Sequence, residues 1–95
     1  MPKLVVHDLE RTWLLDLEGS EGVVVGRSIR CDVPVRVSRA SRRHCRVAPK
    51  GGGHAVEDLG STNGTTVNGA PFPGVQALND GDVIDAGGCR IVYRR

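Results

Sequence analysis

Five polar residues in the middle of this chain have the types and the spacing to hold an anion. Arg27 follows Gly26 at the end of an apolar triplet, Val23-Val24-Val25. Ser41 and Arg42 open the run Ser-Arg-Arg-His-Cys, and Thr62 and Asn63 sit in Asp-Leu-Gly-Ser-Thr-Asn-Gly-Thr-Thr-Val-Asn-Gly. A guanidinium, one or two hydroxyls and a side-chain amide all donate hydrogen bonds, and no carboxylate stands among them. If the three stretches meet, a phosphate is the group that such a set satisfies.

For them to meet, each must lie on a loop at the same end of a sheet. Asn63-Gly64 and Asn68-Gly69 accept positive φ at little cost, so each favours a type I′ hairpin or a similar sharp reversal. Val56 to Leu59 and Thr65 to Val67 then read as short strands around these turns. Gly26 lets the backbone approach its neighbours closely, with Arg27 leaving from the strand end. A strand from His44 to Ala48 alternates His44 and Arg46 with Cys45 and Val47, so its cysteine side faces the core.

The remainder repeats this pattern. Leu4 to His7 and Thr12 to Leu17 form an antiparallel start, with Trp13, Leu15 and Leu17 on one face. Val33-Pro34-Val35 is a strand that its proline confines to an edge or a bulge. Pro49 to Gly53 is a hairpin tip, Ala70 to Gly74 an irregular connection, and Val75 to Leu78 a weak strand. Asp82 to Ala86 and Cys89 to Tyr93 pair across Gly87-Gly88. Strands at short, regular intervals predict an all-β fold, a two-sheet antiparallel sandwich of about ten to eleven strands with its ligand loops at one end. Ninety-five residues fit one domain over residues 1–95.

The ordered set Gly26-Arg27, Ser41-Arg42-Arg43-His44, Ser61-Thr62-Asn63-Gly64-Thr65 and Val67-Asn68-Gly69 resembles the signature of the forkhead-associated (FHA) domain. Cys31-Asp32, Asp58-Leu59-Gly60 and Asp80-Gly81-Asp82-Val83-Ile84 match supporting positions, so the resemblance spans about residues 22–93. It implies a non-enzymatic module that docks phosphothreonine-containing proteins made by an upstream Ser/Thr kinase. It also implies roles. Arg27 contacts the phosphate, Ser41 does so through hydroxyl and backbone amide, and Arg42 adds a further donor. Thr62 faces the phosphate, and Asn63 holds the peptide backbone beside the phosphothreonine. Gly26, His44, Gly64 and Asn68 support the site structurally, His44 by fixing the loop and Asn68 by shaping its hairpin. The alternative is an FHA-like scaffold that joins its partner without phosphate.

Charge agrees with an anionic partner. Seven Arg and one Asp lie between residues 27 and 46, a net +6, while the remainder carries six bases and ten acids, a net −4. Arg30, Arg36, Arg39 and Arg43 would favour acidic residues flanking the phosphothreonine. Other chemistries find little support. Ser41, His44 and Asp58 can be sketched as a triad, but no nucleophile elbow or oxyanion loop accompanies them. The three aromatic residues all lie outside the basic segment, which argues against nucleic acid. No metal-ligand spacing occurs among Cys31, Cys45, Cys89 and the histidines, and no cofactor is expected. An odd number of widely spaced cysteines reads as buried thiols in a reducing compartment. The apolar run at the N-terminus is too short for a signal core or a membrane span, so a cytoplasmic location without membrane insertion is expected. Eleven Arg against two Lys suggests a GC-rich bacterial genome.

Overall fold

Glycine and proline punctuate short β-branched runs along the whole chain, and each run becomes a strand. The computed structural model describes residues 1–95, and it holds eleven strands in two sheets with no helix. They are β1 (Lys3–His7), β2 (Thr12–Asp16), β3 (Val23–Gly26), β4 (Val33–Pro34), β5 (Cys45–Lys50), β6 (Gly53–Asp58), β7 (Thr65–Val67), β8 (Ala70–Pro71), β9 (Val75–Ala77), β10 (Val83–Ala86) and β11 (Cys89–Arg94). One sheet runs β2-β1-β11-β10-β7-β8 and the other β4-β3-β5-β6-β9. Within the sheets, β3 and β4 run parallel and the other registered pairs antiparallel.

Alternation decides which side chains go inside. Leu4 and Val6, Ile84 and Ala86, and Cys89, Ile91 and Tyr93 point from the first sheet toward Val23, Val25, Cys45, Val47 and Val56 of the second. Trp13 and Leu15 of β2, with Phe72, pack against the rim of this core. All three cysteines are buried and free. Burial pushes the thiols of Cys45 and Cys89 up to about 12, so neither is a nucleophile near neutral pH.

Several sequence expectations shift in detail. The β5–β6 hairpin is tighter than its Pro-Lys-Gly-Gly-Gly segment suggests, because pairing continues to Lys50↔Gly53 and only Gly51 and Gly52 turn, both at positive φ. Ala70 and Pro71, expected as irregular connection, form the short strand β8. The strand expected from His44 begins at Cys45, and His44 itself is fully buried. Asn68-Gly69 makes the expected reversal, with φ of 52° and 84°. Asn63-Gly64 does not make a hairpin. Only Gly64 has positive φ, and the segment carries the chain from β6 in one sheet to β7 in the other.

Candidate functional site

Three connections converge at the end of the sandwich reached by the C-terminus of β3 and the N-terminus of β5. They are residues 27–32 between β3 and β4, 35–44 between β4 and β5, and 59–64 between β6 and β7. Backbone bonds stitch the first two together. Arg27 N donates to Ser41 O at 3.0 Å, Ser28 N to Arg42 O at 3.2 Å, Val35 N to Gly26 O at 2.9 Å and His44 N to Val25 O at 2.7 Å. This proximity explains Gly26. A Cβ there would fall on the Arg42 carbonyl group, so no larger residue leaves the two loops where they are.

The third connection is held by its own carboxylate. Asp58 accepts from Ser61 Oγ and Thr65 Oγ1 (2.7 Å) through one oxygen, and from the Gly60 and Ser61 amides (both 3.0 Å) through the other. Burial raises the Asp58 pKa, but these donors outweigh it and keep the carboxyl below its ordinary value. Ser61 Oγ in turn accepts from Gly64 N at 2.9 Å. The carboxylate thus replaces the ladder bonds that the loop cannot make. The sequence places Asp58 beside the signature and in the sketched triad, but not as the cap of this loop; its local sign is an acid followed three residues later by serine, the pattern of a side chain capping its own turn.

His44, at the end of the second connection, ties it to the third. Its Nδ1 accepts from Ser41 N at 3.0 Å, and its Nε2–H donates to Gly64 O at 2.7 Å. The neutral tautomer with the proton on Nε2 follows from these partners. Both ring nitrogens are therefore spent on backbone groups, so the Ser41–His44–Asp58 triad does not exist. Asp58 is saturated elsewhere, and Ser41 Oγ faces Thr62 N, from which it accepts at 3.0 Å. Asn63 Nδ2 donates to Arg39 O at 2.7 Å, and Arg27 Nε donates to Ala40 O. Beneath them the β10–β11 turn fits closely, since a Cβ on Gly87 would lie 2.5 Å from Ala40 N and Arg39 O. No local sequence signal marks that contact.

What remains free defines the chemistry. The terminal nitrogens of Arg27, the side chain of Arg42, the Ser41 hydroxyl proton, the Thr62 hydroxyl and Asn63 Oδ1 have no intramolecular partner. The three ion pairs of the molecule involve Arg11, Arg36 and Arg94, so the charges of Arg27, Arg39, Arg42 and Arg43 are uncompensated. The Ser41 amide, a phosphate donor by resemblance, is occupied by His44, which leaves the hydroxyl as that residue's free donor. Asn68 lies apart from the cluster, at the other end of β7. It bonds Val83 N (2.9 Å) through Oδ1 and Asp82 (3.0 Å) through Nδ2, and so shapes a turn remote from the site. The site is an open surface. The largest cleft, about 530 Å³, lies at the far end of β5 around Pro49, Gly51 and His54, away from every free donor named above.

Known proteins share this fold. The FHA domain model matches residues 23–87, from the start of β3 to the β10–β11 turn. The FHA domain-containing protein FhaA of Mycobacterium tuberculosis is 42% identical over 77 residues, 81% of this chain and 14% of FhaA. FhaB of Mycolicibacterium smegmatis is 45% identical over 47 residues, covering 50% of this chain and 30% of FhaB. Both relatives are therefore much longer than the stretch they share. A structure from work on phosphothreonine-dependent FHA domain interactions superposes with a TM-score of 0.83 at 35% identity, covering 99% of this chain and 95% of the other. The FhaA FHA domain, solved in complex with the intracellular domain of Rv3910, superposes at 0.82 and 35% identity over 99% of this chain and 100% of that one. Since the matched residues include all three converging connections as well as the sandwich that carries them, the chain belongs to the FHA domain family.

Proposed function

We propose that this chain is a phosphothreonine-dependent binding module that docks proteins phosphorylated by a Ser/Thr kinase. FHA domains are binding modules rather than enzymes, and the spent nitrogens of His44 agree with that. One observation carries the reading: Arg27, Arg42 and the Ser41 hydroxyl are presented without an acid partner on loops already tied to one another. A phosphate dianion with three acceptor oxygens matches such donors, and little reorganisation is needed because the loops are already tied. Asn63, whose Nδ2 is held by Arg39 O, keeps Oδ1 to accept from a backbone N–H of the bound peptide, and the Thr62 hydroxyl borders the phosphate in this reading. Relatives support the ligand class, since the FHA structures above come from phosphothreonine-dependent interactions and from a complex with a protein partner.

The flanking residues follow from the same charges. Arg36 pairs with Glu10 at 3.2 Å, so Arg30, Arg39 and Arg43 are the guanidiniums left to favour acidic residues around the phosphothreonine. The buried, unbridged thiols suit a reducing cytoplasm, and no helix is long and apolar enough to cross a membrane.

Calorimetric titration of one peptide carrying phosphothreonine, phosphoserine or threonine tests the reading. Micromolar-range binding, about −8 kcal/mol, is expected only for phosphothreonine. Equal binding with and without phosphate would replace it with a phosphate-independent scaffold. A degenerate phosphopeptide library enriched in basic rather than acidic flanks would remove the flank assignment alone.

A further inference from the structure

Four strands end the two sheets, and three of them are blunted. β4 and β8 are two residues long and each contains a proline, Pro34 and Pro71. β9 has three residues and follows Pro73-Gly74. Short edges and proline are the ordinary defences against pairing with another chain. β2 has neither. It is five residues long, Thr-Trp-Leu-Leu-Asp, with no proline or lysine, and Leu14 at its centre is 64% exposed.

Its unused hydrogen-bonding groups can be assigned. Leu17 N donates to Pro2 O at 2.9 Å and Asp8 N to Arg11 O at 3.1 Å, so the odd-numbered residues of β2 face β1 and the even-numbered ones face away. Thr12, Leu14 and Asp16 therefore offer their N–H and C=O groups at the open edge. On the solvent face the strand continues a registered apolar row. Leu14 lies beside Val5, Val5 beside Val92, and Val92 beside Val83. Charged and polar rows flank it, Asp16-Lys3-Arg94 on one side and Thr12-His7-Arg90-Asp85 on the other.

We infer that β2 is a self-association edge, and that its occupant is β2 of a second copy of this chain, antiparallel and centred on Leu14. The strand is self-complementary about that residue. Leu14 meets Leu14 on the two-fold axis, the Thr12 hydroxyl meets the Asp16 carboxylate, and Trp13 meets Leu15 beneath. The outward groups of Thr12, Leu14 and Asp16 then pair fully with those of the partner, and the apolar row runs unbroken across both molecules. Because the other three edges are blunted, the contact closes as a dimer and does not propagate. Antiparallel pairing sends the recognition ends of the two copies in opposite directions, since β2 begins at the end where Arg11 and Asp8 hold residues 34 and 36. None of this depends on the phosphothreonine reading.

Sedimentation equilibrium of the whole chain from micromolar to millimolar concentration provides the test. The expected result is a mass rising from 10.1 kDa toward twice that value, and at least tenfold weaker association for Leu14→Lys with an unchanged circular dichroism spectrum. Register is tested separately by oxidative crosslinking. A hydrogen-bonded antiparallel pair brings Cα atoms to about 5.5 Å, within disulfide reach, so Leu14→Cys should crosslink to itself far faster than Asp16→Cys. A wild-type chain that stays at the monomer mass throughout overturns the inference. A dimer that survives Leu14→Lys, or equal crosslinking of the two cysteine variants, places the contact elsewhere and overturns it as well.

Discussion

The body of the sandwich and its recognition end are held by different kinds of bond. In the body, backbone groups find one another in ladders, and side chains need only be apolar and of the right size to fill the space between sheets. At the recognition end the chain runs in loops, one of which crosses from one sheet to the other, so regular ladders give out and single polar side chains take their place. Asp58, His44, Ser41, Asn63 and Arg27 together hold loop amides and carbonyls of residues 39–41 and 60–64. Redundancy is the difference. A lost methyl group in the core is shared among many neighbours, whereas a lost polar atom at the loops strands a named partner.

Substitutions can separate the two regimes. The largest stability loss should come from the body. Ile91→Ala, at a fully buried position in the middle of β11, should cost about 2–5 kcal/mol. Its folded fraction should bind phosphopeptide as tightly as the wild type, as urea denaturation and titration on the same preparation would reveal. Weakened binding by the folded molecules would show that core and loops are one cooperative unit. His44→Ala should cost slightly less, about 2–4 kcal/mol, from a buried ring lost and two backbone groups left unpaired. Unlike Ile91→Ala it should also abolish binding, because Ser41 and Gly64 lose their common anchor.

Arg27→Ala should invert that pattern. The residue is exposed and its side chain's only intramolecular bond is to Ala40 O, so stability should change by less than about 1 kcal/mol. Loss of a charge-assisted contact to phosphate should cost about 1.5–3 kcal/mol of binding, roughly 10- to 150-fold. Titration with the phosphothreonine peptide measures it, and an unchanged affinity would remove Arg27 from the site.

How legible each region was in the sequence follows from the same difference. Ladders obey a period of two and end at Gly and Pro, so nearly every strand could be placed within a residue or two, and the sandwich with them. β8 escaped because a two-residue strand containing proline has no period to show. Parallel pairing of β3 with β4 escaped because it is decided by where the chain returns after the intervening loop. The candidate site residues are recognisable in the sequence as an ordered set of polar types, but their bonds are not. Asn63-Gly64 and Asn68-Gly69 are the same dipeptide, yet only the second reverses the chain between adjacent strands; the first is overridden by Asp58 and by the change of sheet. His44 read as the solvent side of a strand because alternation was extended one residue too far, into a loop where hydrogen bonding, not period, decides burial.

Acid should dissect the two ends in sequence. At the far end of the sandwich His54 Nδ1 meets the hydroxyl of the buried Tyr93 at 2.7 Å, and burial together with Arg95 lowers the His54 pKa from 6.5. A histidine that resists protonation when folded binds fewer protons than the unfolded chain, so its contribution is intact above 6.5 and declines as pH falls through the folded pKa. At the recognition end the carboxylates titrate much lower. Asp8, whose side chain is fully buried, is raised by desolvation but lowered further by the amides of Glu10, Arg36 and Arg11 and by the Arg11 side chain, to about 2 from 3.8. Its contribution is intact above pH 4 and lost as pH falls toward 2, and Asp58 adds a loss of the same sign. Urea denaturation from pH 8 to 2.5 should therefore show a shallow decline starting near 6.5 that His54→Gln removes. A steeper decline should follow below pH 4, which Asp8→Asn reduces at the cost of lower stability at neutral pH. If the His54 variant instead flattened the lower step, the two ends would not be titrating as separate bodies, and the contrast between ladder and loop would fail where it is most easily measured.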